Sequence, residues 1–466
     1  MSLSGLWLAL LLAPQDAAAT PVRFELELVD PATPLVAVHV ETTGDADGMS
    51  EFSLAEGWAG IVEAGRDLEL VEARGAKDLL ASERLASFSW RVRHAPHEHL
   101  RVTFELAPTT HRAVTGPPEY YLPILEQGLL HALGAQALPA PDHLDGEKER
   151  ELTLTWTGFA EAGWKTTSSF GGGSTVTTTL ALDAFRHALF LAGDVRLYER
   201  KIEGQTLALA LHGTWKFKDE EFVDLAERIV RLGRDFFADH AEHPHYLISL
   251  IPVGKGGLSS WGGTGLTDSF ALFMTPDNGI ASDAGGGGVA WLLAHELFHE
   301  WNGHAITLAQ PEQLAYWFSE GFTDFYARRL LARAGLLTPE QELASWNQRL
   351  AAYAANPERH APAARVQEAF WSVRAVGDLP YQRGDVLALY VDHAIRAHSQ
   401  GARSLDDLMR ELVARGRAGG APHTSASLAA AIGEFTGEES AAAVRDWALA
   451  GREPEFPAEL ALPGLR

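Results

Sequence analysis

From residue 22 to about 108, apolar and polar positions alternate, as in Phe24-Glu25-Leu26-Glu27-Leu28, Val36-Ala37-Val38-His39-Val40 and Leu100-Arg101-Val102-Thr103-Phe104. A period of two, broken by turn residues, predicts antiparallel strands with one buried face. Similar runs at 151–156, 166–182 and 206–211 extend this β-rich region. The texture changes near Phe217. Phe222, Leu225, Ile229, Leu232 and Phe236 recur at helical spacing within 219–240, and 246–253 then reads as a buried strand. The pattern therefore predicts an α+β chain with a domain boundary around Trp215: a β-rich domain over 20–214 and a second domain over 215–466. Helical patterns dominate from Leu314 onward, including 386–397 and 404–413.

Within the second domain, Val289, Leu292, Leu293, Leu297 and Phe298 predict a helix that starts near Val289 and carries His295-Glu296-Leu297-Phe298-His299. Positions four apart stack on one helix face, so both imidazoles reach one metal ion. Glu296 projects beside the pair, where a carboxylate takes a proton from water without ligating the metal. This is the pattern of a catalytic zinc helix, with one zinc expected per chain.

A third ligand is needed. The aromatic-rich run 315–326 predicts a second buried helix, and within it Glu320 is an acid in an apolar setting, costly unless paired. Asp324, one turn later, is placed to accept the free ring N–H of a ligating histidine. His304 lies beyond Gly303, where the helix is expected to end, and reads as a polar residue of the following segment.

Composition narrows the partners. Of the 466 residues, 46% are hydrophobic and 21% charged, an ordinary balance for a folded chain. The formal net charge of −24 argues against nucleic acid or anionic membrane as a partner. Cysteine is absent, so neither disulfides nor thiolate ligands contribute. Residues 6–13 form a short apolar run followed by Ala17-Ala18-Ala19, which is similar to a secretory signal peptide over 1–19 and predicts export to a periplasmic or extracellular location. No stretch qualifies as a stable membrane span. The glycine-rich stretch 254–263 lacks the spacing of a phosphate loop; it reads either as strand-end glycines, Gly262 and Gly263 among them, that let a substrate backbone approach, or as a solvent loop.

Four ordered stretches resemble the gluzincin metallopeptidases, in particular the glycyl aminopeptidase family. They are His295-Glu296-Leu297-Phe298-His299-Glu300-Trp301-Asn302, then Trp317-Phe318-Ser319-Glu320-Gly321-Phe322-Thr323-Asp324, then Tyr381-Gln382-Arg383-Gly384, then Ser404-Leu405-Asp406-Asp407-Leu408. The resemblance implies a thermolysin-like catalytic domain with a mixed α/β lobe and a helical lobe. It implies zinc held by His295, His299 and Glu320, Glu296 as general base, and a peptide or protein substrate. It also nominates Tyr381, whose phenol would hydrogen-bond the oxyanion that forms as water adds to a carbonyl.

The chain departs from that family at Thr267-Asp268, where relatives carry a Glu-His pair after Gly-Leu. The family's glutamate is placed to meet a free α-amine, and Asp268, shorter and shifted by one residue, is the candidate substitute. The carboxy-terminal PDZ module common among relatives also has no counterpart in the sequence. Two readings stand beside the aminopeptidase: an endopeptidase of the same fold, and a non-catalytic zinc-binding protein. A structural zinc site has no use for a base beside the metal, which weighs against the latter. The sequence is silent on oligomeric state.

Overall fold

The computed structural model describes residues 20–56, 60–61, 63–109, 114, 116, 118–239, 244–254, 261–280 and 288–457, so the signal-like segment 1–19 and most of the glycine-rich stretches before the metal helix lie outside the described residues. The chain forms two compact units, residues 1–112 with 121–194, and residues 113–120 with 195–466.

The first unit is β-rich, as its alternating pattern predicts. Its largest sheet has six strands, in the order Thr175–Ala181, Glu149–Thr157, Val22–Asp30, Leu35–Thr43, His99–Leu106 and Leu68–Arg74. All pairings are antiparallel except Val22–Asp30 with Glu149–Thr157. Alternation explains the faces: Phe24, Leu26, Val38, Val40 and Phe104 are buried. Arg101 bridges Glu25 and Glu41 on neighbouring strands.

The second unit begins at Val195, ahead of the boundary expected at Trp215. Strands Arg196–Ile202 and Gln205–Leu211 form a hairpin, and the latter pairs in parallel with His245–Pro252. Alternation marks a strand but not the sheet it joins. The sheet continues through Ser269–Met274 to an edge strand, Trp261–Leu266. Of the two readings of the glycine-rich stretch, residues 261–263 follow the strand one: glycine has poor strand propensity, but edge pairing with Ser269–Met274 overrides it.

Helix Asp219–Phe237 connects the two parallel strands and ends where Ala238 turns left-handed at φ 47°. The helix carrying the histidine motif spans Val289–Phe298, and all ten of its residues are buried. Such a helix belongs to a core rather than a surface. The expected helix over 315–326 is two helices, Tyr316–Ser319 and Gly321–Arg333, meeting at Glu320. Helices Pro339–Ala355 and Leu379–His398 pack beside them, and Leu405–Arg417 and two further helices complete the helical part. No helix among the described residues is long and apolar enough to cross a membrane.

Candidate metal centre and active site

Every site residue lies in the second unit. His295, His299 and Glu320 each offer one ligand atom, all within 4.8 Å of one another. Two neighbouring hydrogen bonds fix how the rings present themselves. His295 Nδ1 meets Asp324 Oδ1 at 2.9 Å, and His299 Nδ1 meets the carbonyl oxygen of Asn302 at 3.2 Å. With Nδ1–H donating in both rings, each Nε2 keeps a lone pair, and the two Nε2 atoms face each other at 3.1 Å. Lone pairs so aimed repel unless a cation lies between them.

Glu320 Oε2 completes the triangle, 3.4 Å from His295 Nε2 and 3.6 Å from His299 Nε2. Zinc bonds of about 2.0–2.1 Å in a tetrahedron place neighbouring ligand atoms roughly 3.3 Å apart, so the donors present fit zinc in both type and spacing. Three ligands leave one coordination position open, the hallmark of a catalytic rather than a structural site.

The electrostatics point the same way. Burial opposes protonation of His295, but the hydrogen bonds its ring donates to Asp324 and Glu320 overcome it and push its pKa up to about 10. His299 is raised by Glu320 against the same burial. For Glu320 burial alone would favour the neutral acid, yet the facing histidines hold it well below the usual carboxylate range. The site thus seeks a cation, and without metal it takes a proton instead. Because ligation requires the unprotonated ring, zinc must displace that proton at every pH below about 10. Zinc affinity should therefore rise with pH across the neutral range. Calorimetric titrations in two buffers of different ionisation enthalpy should show net proton release; a heat independent of the buffer would contradict this.

Glu296 is buried beside the ligands and outside the ligand triangle. Burial raises its pKa, and the charge of Glu320 adds to that while the two histidines oppose it. Its closest strand neighbour is Gly263: a Cβ there would stand 2.6 Å from Glu296 Cδ and Cγ. Only glycine leaves room for this carboxylate. Gly262 faces the other way, where a Cβ would come 3.0 Å from the Tyr120 ring. The edge strand therefore runs past the base with its backbone close to it.

Tyr381 stands in the first turn of helix Leu379–His398, half-buried, with its ring 6.1 Å from that of His295. That helix comes backbone to backbone against the Glu320 segment at two glycines. A Cβ on Gly384 would lie 1.8 Å from the Trp317 carbonyl oxygen, and one on Gly321 would lie 2.2 Å from Gly384 Cα. Two glycines thus bring the helix of Tyr381 against the metal ligand's own turn.

Asp268 occupies the two-residue turn Thr267-Asp268 between the edge strand and its neighbour, at φ 48°. Its charge helps raise the buried Tyr246 phenol, whose hydroxyl donates to Glu300 Oε2 at 3.3 Å. The edge strand runs about 10 Å from Gly263 to its end at Leu266, at roughly 3.3 Å per residue, and Asp268 lies in the turn beyond that end. His304 pairs with Glu300 at 3.6 Å and is not in the ligand cluster.

Sequence reasoning missed Asn302. Its side chain donates to the carbonyls of Phe318 and Ser319 at 3.1 and 3.2 Å and to Thr323 Oγ1 at 3.1 Å, tying the end of the motif segment to the Glu320 segment. Its own carbonyl orients His299. The only signal in the sequence was its place three residues after that histidine.

The three-ligand centre has the donor set and the spacing of a zinc site with one open position. The stretch that carries the centre, residues 289–375, matches the family described as M61 glycyl aminopeptidase.

Among solved structures, the fold is similar to an aminopeptidase N family protein from Idiomarina loihiensis, with a TM-score of 0.77 and 18% identity over 94% of this chain and 77% of that one. It is also similar to an M1 zinc metallopeptidase from Deinococcus radiodurans, with a TM-score of 0.58 and 18% identity over 94% of this chain and 96% of that one. Curated relatives match over shorter stretches. Endoplasmic reticulum aminopeptidase 1 of Homo sapiens is 29% identical over 104 residues, 22% of this chain and 10% of that protein. Aminopeptidase N of Canis lupus familiaris is 30% identical over 112 residues, 23% of this chain and 11% of that protein. The match thus spans about a tenth of the length of these relatives.

Proposed function

We propose that this protein is a zinc-dependent aminopeptidase that hydrolyses the first peptide bond of substrates with a free amino terminus. The observation that carries the reading is the His295–His299–Glu320 triangle, with Glu296 buried beside it and outside the ligand set. Support for the aminopeptidase end comes from the M61 match and from the curated relatives named as aminopeptidases.

His295, His299 and Glu320 hold the metal. When bound there, zinc supplies Lewis acidity, polarising a substrate carbonyl and bringing the pKa of water from near 16 down to about 7. Glu296 takes the proton of the attacking water at its carboxylate, and burial, by raising its proton affinity, suits it to do so. The same carboxylate then hands that proton to the leaving amine. Tyr381 donates its phenolic hydrogen to the substrate oxygen as negative charge develops on it, an interaction absent from the ground state. Gly263 lets the edge strand present backbone groups to an extended peptide close to Glu296.

One observation favours the endopeptidase reading: the chain has Thr267 where the resembled family carries glutamate, and Asp268 sits in a turn where its charge acts on Tyr246 of the strand His245–Pro252. A peptide with a free amino terminus, compared with its N-acetylated twin, separates the two activities. The aminopeptidase reading expects cleavage of the free peptide only.

A further inference from the structure

We propose that Arg349 is a positioning residue whose single guanidinium fixes both the support of the zinc ligand His295 and the helix that carries Tyr381. The role of Tyr381 rests on the function proposed above; the role toward His295 does not.

The argument follows a continuous set of contacts. Asp324 Oδ1 holds His295 Nδ1 at 2.9 Å, and its other oxygen, Oδ2, accepts from Arg349 Nη2. Arg349 Nε donates to Asp385 Oδ2 at 2.9 Å. Nε and Nη2 share one edge of a planar, rigid fork, so the two carboxylates are fixed relative to each other by covalent geometry. Asp385, fully buried, is gripped from its other side by Arg328 through two bonds of 2.8 and 2.7 Å. Arg328 in turn lies 3.9 Å over the Trp346 ring and donates to Ser345 Oγ at 3.1 Å.

Two anions and two cations are thereby balanced in a buried setting. Such an arrangement is a poor way to gain stability, since desolvation offsets most of the attraction. What it does supply is geometry. Asp324 lies on helix Gly321–Arg333, Arg349 on Pro339–Ala355 and Asp385 on Leu379–His398. Asp385 follows Tyr381 by four residues, so both lie on one face of that helix, one turn apart. The network therefore begins at a metal ligand and ends one turn from the tyrosine whose ring stands 6.1 Å from that ligand. Lysine at 349 would keep the charge but lose the fork, and with it the fixed relation between the two carboxylates.

The test uses the full chain with Arg349→Lys, Arg349→Gln and, as a control, Arg333→Gln, which removes a 2.6 Å bond to Asp406 from the last residue of helix Gly321–Arg333, the helix of Asp324. Zinc affinity is read by chelator competition, beside kcat, KM and Tm. Both Arg349 variants should bind zinc up to about 10-fold more weakly, the low end of the ~10- to 100-fold cost of losing the direct partner of a metal ligand, because Arg349 acts on that partner, Asp324, rather than on His295. Both should lose kcat with KM nearly unchanged, whereas Arg333→Gln should change Tm alone. Arg349→Lys with wild-type zinc affinity and kcat would overturn the proposal.

If the Arg349 variants do not fold, Asp385→Asn decides, since it frees the guanidinium while leaving Asp324 and Arg349 in place. Normal zinc affinity in that variant, or failure of all three to fold, would assign the cluster to the fold alone and overturn the proposal. Weakened zinc binding in a protein that cleaves no peptide would fault the proposed function and leave the positioning role standing.

Discussion

Glu296→Gln should leave zinc bound with wild-type affinity while lowering kcat by at least the ~10²- to 10⁴-fold that general acid–base catalysis contributes. The two effects separate because Glu296 is buried beside the centre without being one of its ligands. Glutamine matches its size, so the contact with Gly263, where no Cβ fits, is preserved. What is lost is the ability to accept a proton. Metal content by atomic spectroscopy, measured on the same samples as turnover, checks this. Full activity in Glu296→Gln would remove Glu296 from the mechanism, and loss of zinc would make it a ligand.

Glu320→Ala should do the reverse and lose the metal first. The carboxylate is the only anionic ligand among the described residues, and it faces the two imidazoles from 3.4 and 3.6 Å. Its removal should weaken zinc by more than the ~10- to 100-fold typical of losing an outer partner. It should also lower the proton affinity of His295 and His299, because Glu320 is among the groups that raise both. Chelator competition measures the first effect, and NMR titration of the metal-free imidazoles the second. Stoichiometric zinc at wild-type affinity would show that a different group closes the site.

How much of this was legible beforehand depends on whether a feature was local. The motif helix announced itself through apolar spacing, and Glu320 and Asp324 through acids set among aromatics. The break of the second helix at Glu320 was not legible, because nothing in the local pattern distinguishes a junction from a continuous helix. The edge strand was undecided between strand end and loop, because glycine propensity argues for a loop while the pairing is decided by Ser269–Met274. Tyr381 came only from resemblance.

Arg349 and Asp385 gave no signal at all. They are separated by 36 residues from each other, and Arg349 by 25 from Asp324, so no spacing rule connects them. Their relation exists only once three helices have packed. The unit boundary shows the same limit, since strand Gln205–Leu211 finds its parallel partner across a whole intervening helix.

The central claim, a zinc aminopeptidase centred on His295, His299 and Glu320, is tested most directly by one mass-spectrometric time course. A zinc-loaded sample is incubated with a free-amine peptide and its N-acetylated twin, with and without chelator. The account predicts stepwise loss of amino-terminal residues from the free peptide, an untouched acetylated twin, and no cleavage once the metal is removed. Internal cuts in both peptides would contradict the aminopeptidase assignment, and cleavage that survives chelation would contradict the zinc centre itself.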